Sequence, residues 1–429
     1  MDPAVENQNI GKMEISLQSL LLLLSKAQKL VSLRLTNHNQ QVAYFSYRLA
    51  QASNFPEKDL KLVFLAALVH DIGILSTEDE LEAAEIITNF DMNHAVKGAR
   101  LLSEFAPFKP LVQIVKYHHF PWDYGKGLEY KGEVVPLASH IIHLADRVCI
   151  RIDRDINILT QLPSILEATV EGRDKLFRPE FVDTLFELSK KEFIWLDLVS
   201  DSPVNLISNP YLFETIFLNI DEIIDLAHLI SQIIDFRSRF TASHSAGVAV
   251  VAAHLAELIG FSHIECKMML IAGYLHDLGK IAISNEVLEK PVKLNEEEFN
   301  EMRAHAYYTF QMLKSIPQFN IINQWASLHH ERLDGKGYPF HYNSDLLPLG
   351  SRIMAVADVF TAITEDRPYR KGMEKSAVRE VLNNMVENGA LDQYVVGVLL
   401  DHYDEINNLR IAAQEEKLKH YQNFIKSYL

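Results

Sequence analysis

Tyr274-Leu275-His276-Asp277-Leu278-Gly279 repeats, with conservative changes, the earlier stretch Leu68-Val69-His70-Asp71-Ile72-Gly73. Matching segments continue on both sides in the same order. Asn37-His38 with Val42-Ala43 answers to Ser243-His244 with Val248-Ala249, and His94 to His305. His118-His119 answers to His329-His330, and Leu144-Ala145-Asp146 to Val356-Ala357-Asp358. The separations are 206 residues for His38 and His70, 211 for His94 and His118, and 212 for Asp146. Five correspondences in one order at a nearly constant separation mark two copies of one unit.

Each copy reads as helical. Val248, Val251, Ala252, Leu255 and Leu258 keep helical spacing after His244. Leu60–Val69 and Met268–Leu275 are apolar nearly all round, as central buried helices would be, and Gly73 and Gly279 punctuate their ends. The expected architecture is all-α, with one domain over residues 1–205, a second over 206–429, and a linker near Asp201–Pro210. The tail after Asp401 reads as a polar helix without chemistry of its own. The apolar run Leu20–Leu24 falls well short of the about 20 residues a membrane helix needs, and reads as the buried stripe of a helix.

Of 429 residues, 41 are Lys or Arg and 57 are Asp or Glu, a net charge of −16 that excludes a protein coating long nucleic acids. A small phosphate ester held by a few local cations remains compatible. Cys149 and Cys266 are the two cysteines, too few for a disulfide framework, and point to a reducing compartment. With no targeting signal and no membrane segment expected, the cytoplasm is the default location. A homodimer is an assembly open to the chain.

The chemistry lies in the repeated histidines and aspartates. His228, His254, His263 and His402 read as structural, since a lone histidine on a helix seldom ligates. The repeated sets differ in kind: His244, His276, Asp277, His305, His329, His330 and Asp358 in the second copy, and His38, His70, Asp71, His94, His118, His119 and Asp146 in the first. Imidazole and carboxylate hold divalent metals at N/O sites, and an adjacent His-Asp at a helix end sends both side chains toward one point. Two metals about 3.5–4 Å apart can clamp the attacking and leaving oxygens of a displaced ester. So many buried ligands would compete for hydrogen bonds without a metal.

The second copy resembles an HD-GYP domain, a branch of the HD phosphohydrolase superfamily, over about 190 residues. The likeness is carried by His276-Asp277-Leu278-Gly279-Lys280-Ile281, Leu288-Glu289-Lys290-Pro291, and His329-His330-Glu331-Arg332-Leu333-Asp334-Gly335-Lys336-Gly337-Tyr338-Pro339. Ala357-Asp358-Val359-Phe360 and Asp366-Arg367-Pro368-Tyr369-Arg370 complete it. The resemblance implies hydrolysis of a 3′–5′ cyclic dinucleotide, cyclic di-GMP or 3′,3′-cyclic GMP-AMP, to the linear 5′-phosphorylated product. It implies divalent metals, usually Fe or Mn, with Ni, Mg or Zn also compatible with the donors. His244, His276, Asp277 and Asp358 would hold one metal, and Asp277 would bridge to a second on His305, His329 and His330. Lys280 would stabilise phosphoryl charge, Arg367 and Arg370 would take a phosphate or a guanine edge, and Tyr338 would line the base pocket.

Phe240 stands where members with a third metal can carry a Glu, so two metals are expected. Thr361 replaces a second Asp that often follows the Asp358 motif, and His341-Tyr342 replaces a usual Gly-Leu. The first copy resembles a plain HD domain. It has Ile74 at the position of Lys280, Phe120-Pro121-Trp122-Asp123-Tyr124-Gly125 in place of the GYP signature, and an additional His143. It reads as a regulatory partner that kept its metal, as a second phosphohydrolase, or as a structural relic. For the whole chain the alternatives are a nucleotide-binding signalling adaptor without turnover and a di-iron oxygenase.

Overall fold

The computed structural model describes residues 12–16, 20–21, 23–24, 37–74, 93–209, 212, 215–235, 243–290, 292–366 and 371–426. By contacts the chain divides into two compact units, one of residues 16–215 and one of residues 216–429 with the first fifteen. The all-α class expected from the periodicity holds. Among the described residues, the sheets are two short pairs: β1 (Lys12–Ser16) with β4 (Thr215–Asn219), and β2 (Glu129–Tyr130) antiparallel to β3 (Glu133–Val134).

The first unit contains α1 (His38–Ala52), α2 (Glu57–Leu68), α3 (Asn93–Ser103), α4 (Lys109–Lys116) and α5 (Leu137–Ile150). These are followed by α6 (Ile158–Glu171), α7 (Pro179–Ser189) and α8 (Glu192–Leu198). α1 packs on α2 and α5, and α3 on α4. α2 is lined by Val63, Phe64, Leu65, Ala66, Ala67 and Leu68, all essentially inaccessible, which makes it the central helix its composition implied. Leu20, Leu21, Leu23 and Leu24 are buried as well, in keeping with a core stripe.

The second unit contains α9 (Ile220–Asp235), α10 (His244–Ile259), α11 (His263–Leu275), α12 (Glu296–Leu313), α13 (Asn320–Ser327) and α14 (Leu349–Thr364). It ends with α15 (Lys375–Glu387), α16 (Gln393–Asp401) and α17 (Tyr403–Lys426). Capping boxes start two of them: Ser262 with Glu265 at α11, and Asn295 with Glu298 at α12, each satisfying otherwise orphaned backbone donors. α10 packs on α11, α14 and α17, and α12 on the turn after α11. Thus α10 to α14 repeat α1 to α5 helix for helix.

The glycine after each His-Asp pair does more than end a helix. A Cβ on Gly279 would lie 1.9 Å from the His305 carbonyl oxygen, and one on Gly73 would lie 2.0 Å from that of His94. The missing side chain lets the His-Asp turn press directly onto the helix that carries His305 or His94, α12 or α3. In the second unit Thr309 locks this contact, accepting from Gly279 N at 2.8 Å and donating to the His276 carbonyl at 3.1 Å.

Candidate metal centres

Five separate elements deliver the second unit's cluster. His244 opens α10, His276 and Asp277 sit at the end of α11, His305 projects from α12, His329 and His330 follow α13, and Asp358 comes from α14. His244 Nε2 lies 3.1 Å from Asp358 Oδ1, His276 Nε2 lies 3.2 Å from Asp277 Oδ2, and His305 Nε2 lies 3.4 Å from Asp277 Oδ1. The donor atoms of His244, His276 and Asp358 fall within 4.8 Å of one another, as do those of His305, His329 and His330. Asp277 therefore faces both groups with one oxygen each. The seven residues named from the sequence all converge.

The histidines are turned in a way that suits a cation. His276 Nδ1 donates to the Gly273 carbonyl at 2.7 Å, His305 Nδ1 to Met302 at 2.6 Å, and His329 Nδ1 to Ala326 at 2.6 Å. Each bond spends the ring's proton on Nδ1 and leaves the Nε2 lone pair facing inward. His276 Nε2 and Asp277 Oδ1 are buried with no hydrogen-bond partner among the described residues, a costly state that a bound cation would relieve.

The electrostatics point the same way. Burial opposes a charge on His244, but Glu365 and Asp358 outweigh it and hold the ring up at about 10, so the site calls for positive charge there. Burial likewise works against Asp277, yet His276 and Lys280 hold its carboxyl well below the usual range. Burial pushes His305 down to about 3, with Asp277 opposing and His330 reinforcing. Neutral imidazoles at His305, His329 and His330, with His244 able to exchange its proton for a cation beside ionised carboxylates, form the donor set of a divalent metal, and the residues present fit one.

Lys280 Nζ sits 2.5 Å from Asp277 Oδ2, so the ammonium borders the cluster. The Tyr338 ring lies against His330 at 4.8 Å between centroids. Burial, reinforced by Asp358 and Asp277, raises its phenol and keeps it protonated. Arg367 and Arg370, expected at the phosphate or base, and Phe240 lie outside the described residues.

Three supporting residues escaped the sequence reading. Glu365, just past α14, takes His244 Nδ1 at 3.0 Å. Gln414 on α17 donates to Glu365 at 3.1 Å, so the tail read as free of chemistry in fact buttresses the cluster. Buried Glu331 accepts the backbone N–H groups of Phe340, His341 and Tyr342 at 2.6 to 3.1 Å and so holds the loop that carries Tyr338. Gly337 permits that loop its path, since a Cβ there would meet Glu331 Cα at 2.4 Å. The Tyr338–Pro339 peptide is cis. Glu331 sits inside the quoted motif, but only the fold reveals its partners.

The first unit repeats the arrangement. His38 Nε2 is 3.0 Å from Asp146 Oδ1, His70 Nε2 is 3.2 Å from Asp71 Oδ2, and His94 Nε2 is 3.5 Å from Asp71 Oδ1. His118 and His119 complete the group around Asp71. Again Nδ1 of His70 and His118 donate to carbonyls, of Ala67 at 2.8 Å and Val115 at 2.7 Å, while both Nε2 atoms are buried without a hydrogen-bond partner among the described residues. Burial opposes a charge on His70, but Asp71 and Asp146 hold it up at about 10. The Lys280 position is filled by Ile74, which is buried. Two nitrogen side chains on α5 face the cluster: His143, 6.0 Å from the His119 ring, and Arg147.

Two family profiles, both described as HD domain, match residues 35–150 and 228–395, enclosing the two clusters apart from their surroundings. The 3′3′-cGAMP-specific phosphodiesterase 1 of Vibrio cholerae is 32% identical over 414 residues, covering 93% of this chain and 94% of its own. The cyclic di-GMP phosphodiesterase response regulator RpfG of Xanthomonas campestris is 39% identical over 150 residues, 34% of this chain and 40% of that protein. Among solved structures, a cyclic GMP-AMP specific phosphodiesterase of V. cholerae, V-cGAP3, matches with a TM-score of 0.61 over 95% of this chain and 98% of its own. At 22% identity that likeness concerns the fold. With its family profiles, its full-length relative and its GYP loop in agreement, the chain belongs to the HD-GYP family, as a form with two HD domains in tandem.

Proposed function

We propose that this protein is a metal-dependent phosphodiesterase that opens a 3′–5′ cyclic dinucleotide to the linear 5′-phosphorylated dinucleotide at the second-domain cluster. The observation that carries this reading is the complete His/Asp set with Lys280 at its edge, in a chain that aligns along nearly its whole length with a phosphodiesterase of that class. We favour 3′,3′-cyclic GMP-AMP over cyclic di-GMP. The relative that spans 93% of the chain is named for the former, whereas the RpfG match covers 34%.

Two divalent cations, Fe or Mn, would be held, one by His244, His276, Asp277 and Asp358 and the other by Asp277, His305, His329 and His330. When bound they would polarise the scissile phosphate and activate water for attack. The protein's own groups do the rest. The Nδ1 hydrogen bonds hold the imidazoles in ligating orientation, and Lys280 offsets charge that builds on phosphoryl oxygen. Tyr338, fixed by the Glu331-anchored loop, would form one wall for a base, and Arg367 and Arg370 would grip a phosphate or a guanine edge.

We assign the first domain a regulatory role that keeps its metal cluster, because Ile74 offers no cation where the diesterase has Lys280. A reducing cytoplasm suits the protein, whose Cys149 and Cys266 are both free thiols.

The test is chromatographic. Purified protein loaded with Mn, or with Fe under reducing conditions, is incubated separately with 3′,3′-cyclic GMP-AMP, cyclic di-GMP and cyclic di-AMP. A linear product lost in His276→Ala/Asp277→Ala and retained in His70→Ala/Asp71→Ala is expected. No product from any of the three would favour the adaptor without turnover.

A further inference from the structure

At the end of the first domain remote from its cluster lies an open cavity of about 790 Å³, the size that small ligands occupy. The turn from α1 into α2, the first turns of α4 and α5, and α7 enclose it. α2, α4 and α5 each start at this cavity and lead to His70-Asp71, His118-His119 and Asp146, while α1 runs back to it from His38. The 15 residues of α1 put the cavity about 20 Å from His38. It is a separate site built on the same helices as the cluster.

The counterparts of these lining residues are packed together in the second domain. Trp325 stands where the first domain has Ile114, and Gly350 where it has Ala138. The buried indole lies 5.8 Å from the ring of Phe261, the counterpart of Phe55. It also covers Gly350 so closely that a Cβ there would meet Trp325 Nε1 at 2.3 Å. In the first domain Phe55, Ile114 and Ala138 line the cavity instead. The turn differs as well. Asn54 and Gly260 match in sequence, and both hold a positive φ, at 59° and 101°. Glycine meets that conformation freely, whereas Asn54 brings an amide to the cavity wall.

The lining selects among ligands. Phe55, Leu62, Ile114 and Phe181 offer apolar surface, with the rings of Phe55 and Phe181 6.1 Å apart. The amides of Asn54 and Gln113 and the carboxylate of Asp59 add donors and acceptors among them. An acyl chain would strand those polar groups without partners. A polyphosphate would meet the carboxylates of Asp59 and Glu180, and the lining's guanidinium, Arg178, already donates to Glu180 at 2.8 Å. A purine suits both conditions, with flat faces that stack on aromatic rings and an edge of donors and acceptors that amides pair with. We propose that this cavity binds a purine ring, carried by a nucleoside or a nucleoside monophosphate. The assignment gives the regulatory domain its ligand, and for that consequence it rests on the regulatory reading above.

Guanosine, adenosine and their 5′-monophosphates are titrated calorimetrically into the full-length His276→Ala/Asp277→Ala chain, whose second-domain cluster is broken, with cytidine and uridine alongside. One purine bound per chain, about tenfold or more tighter than either pyrimidine, is expected. Equal binding of nucleoside and monophosphate makes the nucleoside sufficient, and a tighter monophosphate identifies the nucleotide. Ile114→Trp/Ala138→Gly, which copies the second domain's packing, is expected to abolish binding. Asn54→Gly, which copies its turn and keeps the backbone path, is expected to weaken binding by about 3–10-fold, the worth of one hydrogen bond. Thermal unfolding checks that each variant is folded. No saturable binding below about 1 mM, or equal binding of pyrimidines, would overturn the proposal. So would purine binding left unchanged in Asn54→Gly and in a folded Ile114→Trp/Ala138→Gly chain. Hydrolysis of 3′,3′-cyclic GMP-AMP by the parent chain is followed separately with and without purine, and a rate that bound purine leaves unchanged would refute the regulatory reading while the site stands.

Discussion

His244 is held at both ends of its ring, with Nε2 3.1 Å from Asp358 Oδ1 and Nδ1 3.0 Å from Glu365 Oε2. The two carboxylates are seven residues apart, Asp358 within α14 and Glu365 just beyond its last turn. One stretch of chain therefore both supplies Asp358 to the cluster and orients its neighbour His244. A carboxylate on the far nitrogen fixes the tautomer and makes the imidazole a stronger donor. Thr361, one turn earlier, has no charge to offer, and Glu365 brings a carboxylate to His244 from the next turn.

Glu365→Ala is expected to weaken metal binding by about 10–100-fold, the usual effect of losing such an outer partner. Glu365→Gln should cost less, because its amide oxygen can still accept from Nδ1–H. Chelator competition with Mn(II) on the full-length chain measures both. Equal affinity in the alanine variant would show that Glu365 does not orient His244.

Gly279→Ala places a methyl group 1.9 Å from the His305 carbonyl oxygen, a distance that only a backbone shift can open. The expected cost is at or above the upper end of the ~1–3 kcal/mol typical of overpacking, because backbone is the obstacle. α12 would move with His305, so bound metal should fall along with thermal stability. Gly73→Ala should do the same to the first domain through His94. Thermal unfolding followed by metal analysis checks the pair, and an unchanged melting point in either would contradict the close approach.

What the sequence made legible follows from what is local. His276-Asp277 and His329-His330 are adjacent pairs at helix ends, and a repeat that preserves them points directly to the residues that cluster. The all-α class followed from apolar spacing around the same residues. Glu365 acts on His244 across 121 positions and Gln414 on Glu365 across 49, so no local pattern joins them. Arg147 was visible beside Asp146, but its contact with His119 arises only where the turn after α4 meets α5. Gly73 and Gly279 read as helix punctuation because spacing cannot show what lies opposite a missing Cβ.

The histidine shifts set opposite limbs for the pH dependence of metal-free protein. His305, down to about 3 from 6.5, contributes stability that is fully present above pH 6.5 and is lost as the pH falls toward 3. His140 near 4 and His228 near 3, lowered chiefly by burial, act in the same direction. His70 and His244, both raised to about 10, contribute stability that is present below pH 6.5 and is lost as the pH rises through 10. Metal-free protein should therefore be most stable near pH 6.5. A cation bound at these clusters would displace the proton from His70 and His244, so loading should abolish the alkaline limb and leave the acid one, where protons would compete for the same nitrogens. Thermal melts from pH 4 to 9.5 with and without Mn(II) test this, and an alkaline limb that persists in loaded protein would count against His70 and His244 as ligands.

Lys280 separates the two domains chemically, since Ile74 fills its place in the first. Its Nζ is 2.5 Å from Asp277 Oδ2, close enough to hold Asp277 ionised and to reach a phosphoryl oxygen beside the cluster. Those two roles predict different outcomes for Lys280→Ala. If the ammonium chiefly serves Asp277, metal affinity falls and turnover recovers at saturating Mn(II). If it chiefly stabilises charge developing on phosphate, metal content stays near that of the parent and kcat drops by about 10²–10³, as for other lost transition-state donors. We expect the second outcome. Asp277 retains His276 at 3.2 Å and His305 at 3.4 Å, which with the cations would keep it ionised without the lysine. Saturating metal followed by steady-state hydrolysis of 3′,3′-cyclic GMP-AMP distinguishes the two, and full recovery of kcat would reassign Lys280 to holding Asp277.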